Sequence, residues 1–237
     1  MGYLHPARAA WLAHWGGDAF SRDSGRCHWN AFEASEPARS AQLQAVLEQA
    51  RAQALIPGWR NERFSWWERA DDSLESPYFL SVERSGFRFL GMLSHAVHIN
   101  GFTPQGHLWC GRRSLNKATD PGMLDNVTAG GLPTGESVLE CALRELEEEA
   151  GLTGLSSDAL VAAGAIRTSR PEAGGWHDEI IHVFNLEISE SCMPKNRDGE
   201  VSEFVCLPPA RAVRAMAAGA FTRDATAALA QGLSEIL

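Results

Sequence analysis

The sequence lacks any run of eighteen or more apolar residues, which is the length that a membrane-spanning helix requires. Residues 1–18 carry charge, histidine and glycine, whereas a secretory signal would have an apolar centre there. Cysteine is scarce, and its five residues are scattered without the paired spacing of a zinc site or a disulfide framework. These absences predict a cytoplasmic protein with reduced thiols and no membrane partner.

Basic residues are too few for a nucleic-acid polymer to be the partner. The chain has 21 Lys and Arg against 30 Asp and Glu, a net charge of -9, and nonspecific binding needs a basic surface that displaces counterions. A small anionic substrate is compatible with this balance, because a metal ion and a few local basic groups reverse the potential inside a cleft. The hydrophobic fraction of 44% is that of a globular protein.

One segment, Gly130–Leu152, concentrates acidic residues and reads GGLPTGESVLECALRELEEEAGL. Glu145, Glu148 and Glu149 fall at i, i+3 and i+4, so a helix would carry the three carboxylates on one side. A merely solvated helix face would intersperse basic residues at i+4, but only Arg144 offsets the glutamates here. The pattern therefore predicts a hard divalent cation, Mg²⁺ or Mn²⁺, that neutralises the acids and bridges to substrate phosphates.

The ends of this helix are also specified. Ser137 and Glu140 have the spacing of a capping box, and Gly151 stands where a left-handed stop is expected. Glycines before the helix allow a tight loop whose backbone approaches a metal or a pyrophosphate. We expect an apolar helix face to pack on a sheet; it comprises Val138, Leu139, Ala142, Leu143, Leu146 and Ala150.

At every fixed position the segment resembles the signature of the Nudix hydrolases: glycine, five residues, Glu136, seven residues, Arg-Glu-Leu, one residue, Glu-Glu, one residue, Gly-Leu. The resemblance implies an α/β/α sandwich on a mixed sheet, and metal-dependent hydrolysis of a small diphosphate. It implies that Glu148 and Glu149 are the principal metal ligands, and that Glu145 is a ligand or the water-activating base. A loop carbonyl joins the metal in this family, here that of Ala129, and homodimers are common.

The resemblance further implies that Arg144 holds the glutamates through salt bridges and that Glu136 supports this network. The predicted catalytic and metal-binding residues are Arg144, Glu145, Glu148, Glu149 and Ala129, with Gly130, Glu136 and Gly151 in support. The predicted cofactor is Mg²⁺ or Mn²⁺.

A domain boundary is predicted near residues 101–106, where GFTPQG separates two apolar stretches. Residues 1–104 are predicted to form a small α+β domain, with an amphipathic helix at 37–54 and two or three strands within 78–100. Residues 105–237 are predicted to form the catalytic domain. Its predicted strands are 107–111, 160–166, 180–188 and 201–207, and one or two alanine-rich helices follow within 210–237.

Looser motifs refine the resemblance. The segments GWRNE, VHINGF and LWCGRRSLNKATDPGMLDNVTAGG are similar to those of the Nudix subfamily related to the N-terminal part of thiamine pyrophosphokinase fusion proteins. That resemblance implies hydrolysis of thiamine diphosphate, or of its oxidised analogues, to the monophosphate. Nucleoside diphosphate derivatives are an open alternative for the substrate.

Several polar residues outside the signature are candidates for substrate binding. Arg112, Arg113 and Lys117 have the chemistry to neutralise diphosphate oxygens, although a solvated loop explains them equally well. Glu179, or else Glu172, is the predicted additional acid in a polar loop that enters a strand, with plain solvent exposure as the alternative. The same ambiguity applies to Asp198, Glu200 and Glu203.

Other polar and aromatic residues are assigned structural roles. The pair Asp125–Asn126 is predicted to hold a turn. Most of the eight tryptophans are predicted to pack in the core, with stacking on a planar ring as the alternative for Trp59 and Trp67. His95 and His98 would face opposite sides of a strand, so they are not predicted to be paired ligands.

Two rival functions stay open at this point. An isopentenyl-diphosphate-isomerase-like activity shares the fold, but that branch uses a catalytic cysteine and an altered signature. A ligand-sensing Nudix module without catalysis is the second rival. Such modules often lose the signature glutamates, and this chain keeps all of them.

Overall fold

The computed structural model describes residues 1–31, 34–117, 119–189, 192–197 and 199–234. Within these ranges every helix is too short or too polar to cross a membrane. All five cysteines fall inside the ranges, and none of them forms a disulfide bond.

The chain forms two compact units. The first comprises Met1–Ser94, Pro133–Gly135 and Thr168–Glu179, and the second comprises His95–Leu132, Glu136–Arg167 and Ile180–Leu237. The first unit contains helix α1 (Pro6–Trp15), strands β1 (Phe20–Asp23) and β2 (Arg26–Trp29), helix α2 (Glu36–Ala52), strands β3 (Arg63–Trp66) and β4 (Leu80–Glu83) and helix α3 (Arg84–Leu90).

The core of the first unit forms around helix α2, which agrees with the helix predicted at 37–54. Leu43 and Leu47 are fully buried on one face of the helix, together with Leu80 of strand β4. Strands β1 and β2 form one antiparallel hairpin, and β3 pairs with β4 in a second two-stranded sheet. The packing role predicted for tryptophans is confirmed here for Trp11, Trp29, Trp59 and Trp66.

Helix α3 corrects the prediction that residues 78–100 contain only strands. The carboxylate of Glu83 caps the helix by accepting a hydrogen bond from the Ser85 N–H, and Gly91 ends it in the left-handed conformation at φ 63°. Phe87 and Phe89 are buried by this arrangement. The cap and the terminal glycine together override the strand propensity of the aromatic residues.

The second unit is built on a seven-stranded sheet. Its strands are β5 (Leu93–Phe102), β6 (Leu108–Arg113), β7 (Leu124–Asp125), β8 (Thr128–Gly131), β9 (Leu160–Glu172), β10 (Gly175–Glu187) and β11 (Val201–Leu207), and its helices are α4 (Val138–Ala150), α5 (Pro209–Ala217) and α6 (Arg223–Ser234). The strand order is β11-β6-β5-β10-β9, with β7 beside β6 and β8 beside β5. The first two residues of β5, and the parts of β9 and β10 within residues 168–179, are assigned to the first unit.

Helices cover both faces of this sheet. The Thr128 hydroxyl on β8 bonds to Glu149 of helix α4, and Thr128 is paired with Ile99 of β5, so both side chains face α4. The next residue of β5, Asn100, points to the opposite face because side chains alternate along a strand, and it bonds to the Ala228 carbonyl of α6. The predicted α/β/α fold with a mixed sheet is thus confirmed.

The strands and helices predicted in the catalytic half are confirmed, and β11 agrees residue for residue. The predicted polar loop across residues 172–179 is wrong. Strand β9 continues to Glu172 and β10 begins at Gly175, so only a two-residue turn separates them. Gly174 and Gly175 have φ values of 88° and 149°, which favour glycine in this tight reversal.

Candidate active site

The ends and the rotation of helix α4 determine where its acidic residues lie. Ser137 and Glu140 form both hydrogen bonds of the predicted capping box, and Gly151 ends the helix at φ 65°. Leu146 and Ala150 are fully buried, and α4 packs on strand β8. The apolar face of the helix therefore fixes its rotation and places the glutamates beside β8.

Arg144 gathers three carboxylates around one guanidinium. Its Nε lies 2.9 Å from Oε1 of Glu136, and its Nη1 lies 2.8 Å from Oε1 of Glu145 and 3.0 Å from Oε2 of Glu148. Burial tends to lower the pKa of Arg144, but its bonds to Glu136 and Glu145 outweigh that effect and raise the pKa above its usual value. The arginine is thus a permanent cation that positions three acids.

Glu149 has a different environment from its neighbours. Only 7% of it is exposed, whereas 54% of the Glu148 side chain is. Oε2 of Glu149 accepts hydrogen bonds from the Thr128 hydroxyl at 2.6 Å and from the Ala129 N–H at 3.1 Å. Burial, and then the charge of Glu145, raise the pKa of Glu149 to about 8, although both hydrogen bonds and Lys117 oppose the rise. A cation at this carboxylate would stabilise its ionised form.

The glycine at the start of the signature is required by close contact. A Cβ atom at Gly130 would lie 1.9 Å from Oε1 of Glu145. Gly130 is paired with Val97 in the ladder between β8 and β5. The absent side chain therefore lets a carboxylate of α4 lie directly against the backbone of β8.

A small cavity opens beside Glu149, with a volume of about 20 Å³, which is room for a water molecule or an ion of similar size. Its polar wall combines acids and bases: Arg113 Nη1 lies 2.7 Å from Oδ2 of Asp125, and Lys117 forms a salt bridge with Glu200. The lining comprises Gly111, Arg113, Lys117, Asp125, Asn126, Val127, Thr128, Ala129, Glu149, Glu200 and Val201.

Buried amides support this cavity from behind. Asn126, which lines it, accepts a hydrogen bond from His98 Nδ1 at 2.6 Å and donates one to Asn100 at 2.5 Å. Asn100 donates to Asn185 at 3.1 Å, and Asn185 donates to the Gly232 carbonyl at 3.0 Å. Asn126 is predicted from the sequence only to hold a turn. No local sequence pattern could have revealed this series of hydrogen-bonded side chains, because its members come from separate elements.

The structure distributes the predicted substrate residues unevenly. Arg113 and Lys117 line the cavity, whereas Arg112 pairs with Glu203 at 2.5 Å and is not among the described lining residues. Glu179 accepts a hydrogen bond from Ser94 at 2.9 Å in the first unit. Glu172, also in the first unit, forms salt bridges with Arg88 and Arg170. Glu200 lines the cavity, and Asp198 lies outside the described residues.

No three His, Cys, Asp or Glu side chains within the described ranges converge closely enough to form a preformed metal site. The residues nevertheless fit a hard cation by type. Glu145 is close enough to Glu149 for its charge to contribute to the raised pKa of the buried Glu149 carboxylate. Carboxylate and backbone oxygens are the ligands that Mg²⁺ and Mn²⁺ prefer.

Comparison with known proteins identifies the family. Residues 93–229, more than half of the chain, match the NUDIX domain, and residues 1–94 match a domain of unknown function (DUF4743). The chain belongs to the Nudix family.

Three curated proteins are similar to this chain in sequence. The chain is 31% identical over 228 residues to Nudix hydrolase 24, chloroplastic, of Arabidopsis thaliana, which covers 94% of this chain and 61% of the relative. It is 36% identical to Nudix hydrolase 20, chloroplastic, of the same plant, covering 73% and 46%. It is 31% identical to an isopentenyl-diphosphate Delta-isomerase of Clavibacter sepedonicus, covering 53% and 63%. The chain thus spans less than two thirds of the length of each.

Proposed function

We propose that the protein is a Mg²⁺- or Mn²⁺-dependent hydrolase that cleaves a small diphosphate linked to an organic group. The observation that carries the proposal is the nearly buried carboxylate of Glu149, held by the backbone and side chain of β8 beside Glu145 and a small polar cavity. Family membership and two relatives named as Nudix hydrolases support it. A buried acid at a cavity is a common sign of a functional site.

The proposed metal ligands are Glu145, Glu148, Glu149 and the carbonyl of Ala129. The bound cation would supply positive charge to the diphosphate and lower the pKa of a water molecule. Arg144 fixes the orientation of Glu145 and Glu148 through the contacts described above. Glu145 is also the proposed proton acceptor for the attacking water, because it lies against the strand that carries Ala129.

Basic residues of the cavity are proposed to contact the substrate. Lys117 and Arg113 supply positive charge on the wall next to Glu149, where phosphate oxygens need neutralisation. Arg112 has a weaker case, because its guanidinium bonds to Glu203 and to the Gly122 carbonyl.

For the organic group we propose thiamine diphosphate or its oxidised analogues, with the monophosphate and phosphate as products. The support is the similarity of three sequence segments to the thiamine pyrophosphokinase-related subfamily. Isomerase activity is disfavoured, because none of the described residues that line the cavity is a cysteine. We also propose that the protein works in the cytoplasm, on the basis of its five cysteines, none of which forms a disulfide bond.

The test is a phosphate-release screen across thiamine diphosphate, its oxidised analogues, nucleoside diphosphates and triphosphates, ADP-ribose and dinucleotides, each with Mg²⁺ or Mn²⁺. We expect Glu149→Gln to reduce metal-dependent turnover by at least about 100-fold, as expected when a ligand that polarises the reacting centre is lost. Glu147→Gln is the matched control, since Glu147 lies on the same helix and is exposed. Unchanged turnover in Glu149→Gln would reject the assignment.

A further inference from the structure

One lysine lies inside the acidic cavity of the second unit. Lys117 forms a salt bridge with Glu200, and its Nζ lies 4.0 Å from Oε1 of Glu149. Its side chain is only 20% exposed, and all three residues line the same cavity. One amine is therefore shared between two acids that belong to different parts of the fold.

The two acids differ in their need for this amine. Glu149 is nearly buried, with one oxygen occupied by hydrogen bonds from Thr128 and Ala129 and the other nearest to Lys117. The Glu200 side chain is 36% exposed, so water stabilises part of its charge. A divalent cation at Glu149 would repel the ammonium group strongly, because like charges a few ångströms apart interact at low effective dielectric.

We propose that Lys117 and a divalent cation compete for Glu149, and that Glu200 is a positioning residue that retains Lys117 when the cation binds. The inference rests on the proposed function, since it takes Glu149 as a metal ligand. The salt bridge to Glu200 already exists, so Lys117 keeps a partner when Glu149 turns to the cation. The amine then remains in the cavity, where its charge is available to phosphate oxygens.

The test is calorimetric titration of the full chain with Mg²⁺, without substrate. Lys117→Met should tighten Mg²⁺ binding by on the order of tenfold, because a repelling charge is removed. Glu200→Gln should weaken it about threefold or more, because among the described residues Glu149 is then the carboxylate that remains beside Lys117. In the double variant the effect of Glu200→Gln should vanish, since coupled residues are non-additive when one acts through the other.

A matched pair of variants controls for charge alone. Arg112 of β6 and Glu203 of β11 also form an ion pair, between the strand that precedes Lys117 and the strand that follows Glu200. Arg112→Met and Glu203→Gln should therefore each change Mg²⁺ affinity by less than about twofold. Far-UV circular dichroism checks that each variant folds. Lys117→Gln is a second variant that removes the same charge as Lys117→Met, and the same effect on Mg²⁺ affinity is expected.

Three results separate the outcomes. If Glu200→Gln weakens binding equally with and without Lys117, Glu200 acts directly and the inference is overturned. It is also overturned if Mg²⁺ binds the native chain but Lys117→Met leaves the affinity unchanged. If the native chain binds no Mg²⁺ at all, the proposed metal-dependent function is rejected, and the inference is rejected with it.

Discussion

Replacing Gly130 with alanine offers a direct test of how the acids of α4 are placed. The new Cβ would lie 1.9 Å from Oε1 and 2.0 Å from Cδ of Glu145, whereas ordinary contacts begin at 3.4 Å. The Glu145 carboxylate must therefore move by about 1.5 Å, the difference between 3.4 and 1.9 Å. Such a movement would disturb its 2.8 Å contact with Arg144.

Gly130→Ala should have a small effect on stability and a large effect on activity. Alanine is favoured over glycine inside a strand by roughly 0.5–1 kcal/mol, and the clashing atoms belong to the movable end of a side chain. We therefore expect the free energy of unfolding in urea to change by less than about 1 kcal/mol. A misplacement on the scale of 1 Å costs about 100-fold in rate, or about 2.7 kcal/mol of transition-state stabilisation.

The assay is kcat/KM for Mg²⁺-dependent phosphate release from the best substrate of the screen. Glu145→Ala provides the control, because truncating this side chain removes the clash. Gly130→Ala should therefore cost nothing further in the Glu145→Ala background. If it lowers kcat/KM equally in both backgrounds, the reasoning about close contact between β8 and α4 is refuted.

Two further predictions concern the core of the second unit. Burial, and then the nearby His182, lower the pKa of His95 to about 4. As the pH falls, the unfolded chain therefore takes up a proton at this histidine before the folded chain does. The contribution of His95 to the free energy of unfolding should decrease by about 3 kcal/mol between pH 6.5 and 4 and then level off. Urea denaturation across that range checks this, and a His95→Gln variant that kept the full dependence would contradict it. Asn100→Leu should lower the free energy of unfolding by on the order of 3 kcal/mol, because it leaves buried groups of Asn126 and Asn185 without their partner. A loss below about 0.5 kcal/mol in urea denaturation would show that the hydrogen bonds among these three amides do not stabilise the fold.

Local features of the sequence were sufficient to predict helix α4. The capping box of Ser137 and Glu140, and the glycine at 151, depend only on neighbouring residues, and both are present in the structure. The bounds predicted for strand β11, residues 201–207, also agree with the structure. Helix α3 was missed because its cap is a glutamate, which is not among the residues favoured at that position.

Features that join distant parts of the chain were not predictable. Glu148 and Glu149 are adjacent and chemically identical, yet their exposure differs, because the rotation of α4 on β8 buries only one of them. Lys117 and Glu200 are separated by 83 residues. Their meeting depends on the pairing of β6 with β11. Composition and spacing indicate that such residues exist, but the order of the strands determines which of them meet.

The buried amides have a consequence for the imidazole at their end. The carbonyls of Ala228 and Gly232 can only accept hydrogen bonds, so the Asn100 and Asn185 side chains must turn their nitrogens toward helix α6. Each oxygen then faces the other way, and by the same logic Asn126 offers its oxygen to His98. Nδ1 of His98 must therefore carry a proton, and in the neutral imidazole this is the tautomer in which Nε2 has the lone pair. Helix α6 on the far side of the sheet thus selects the tautomer of a histidine that bonds to the cavity wall.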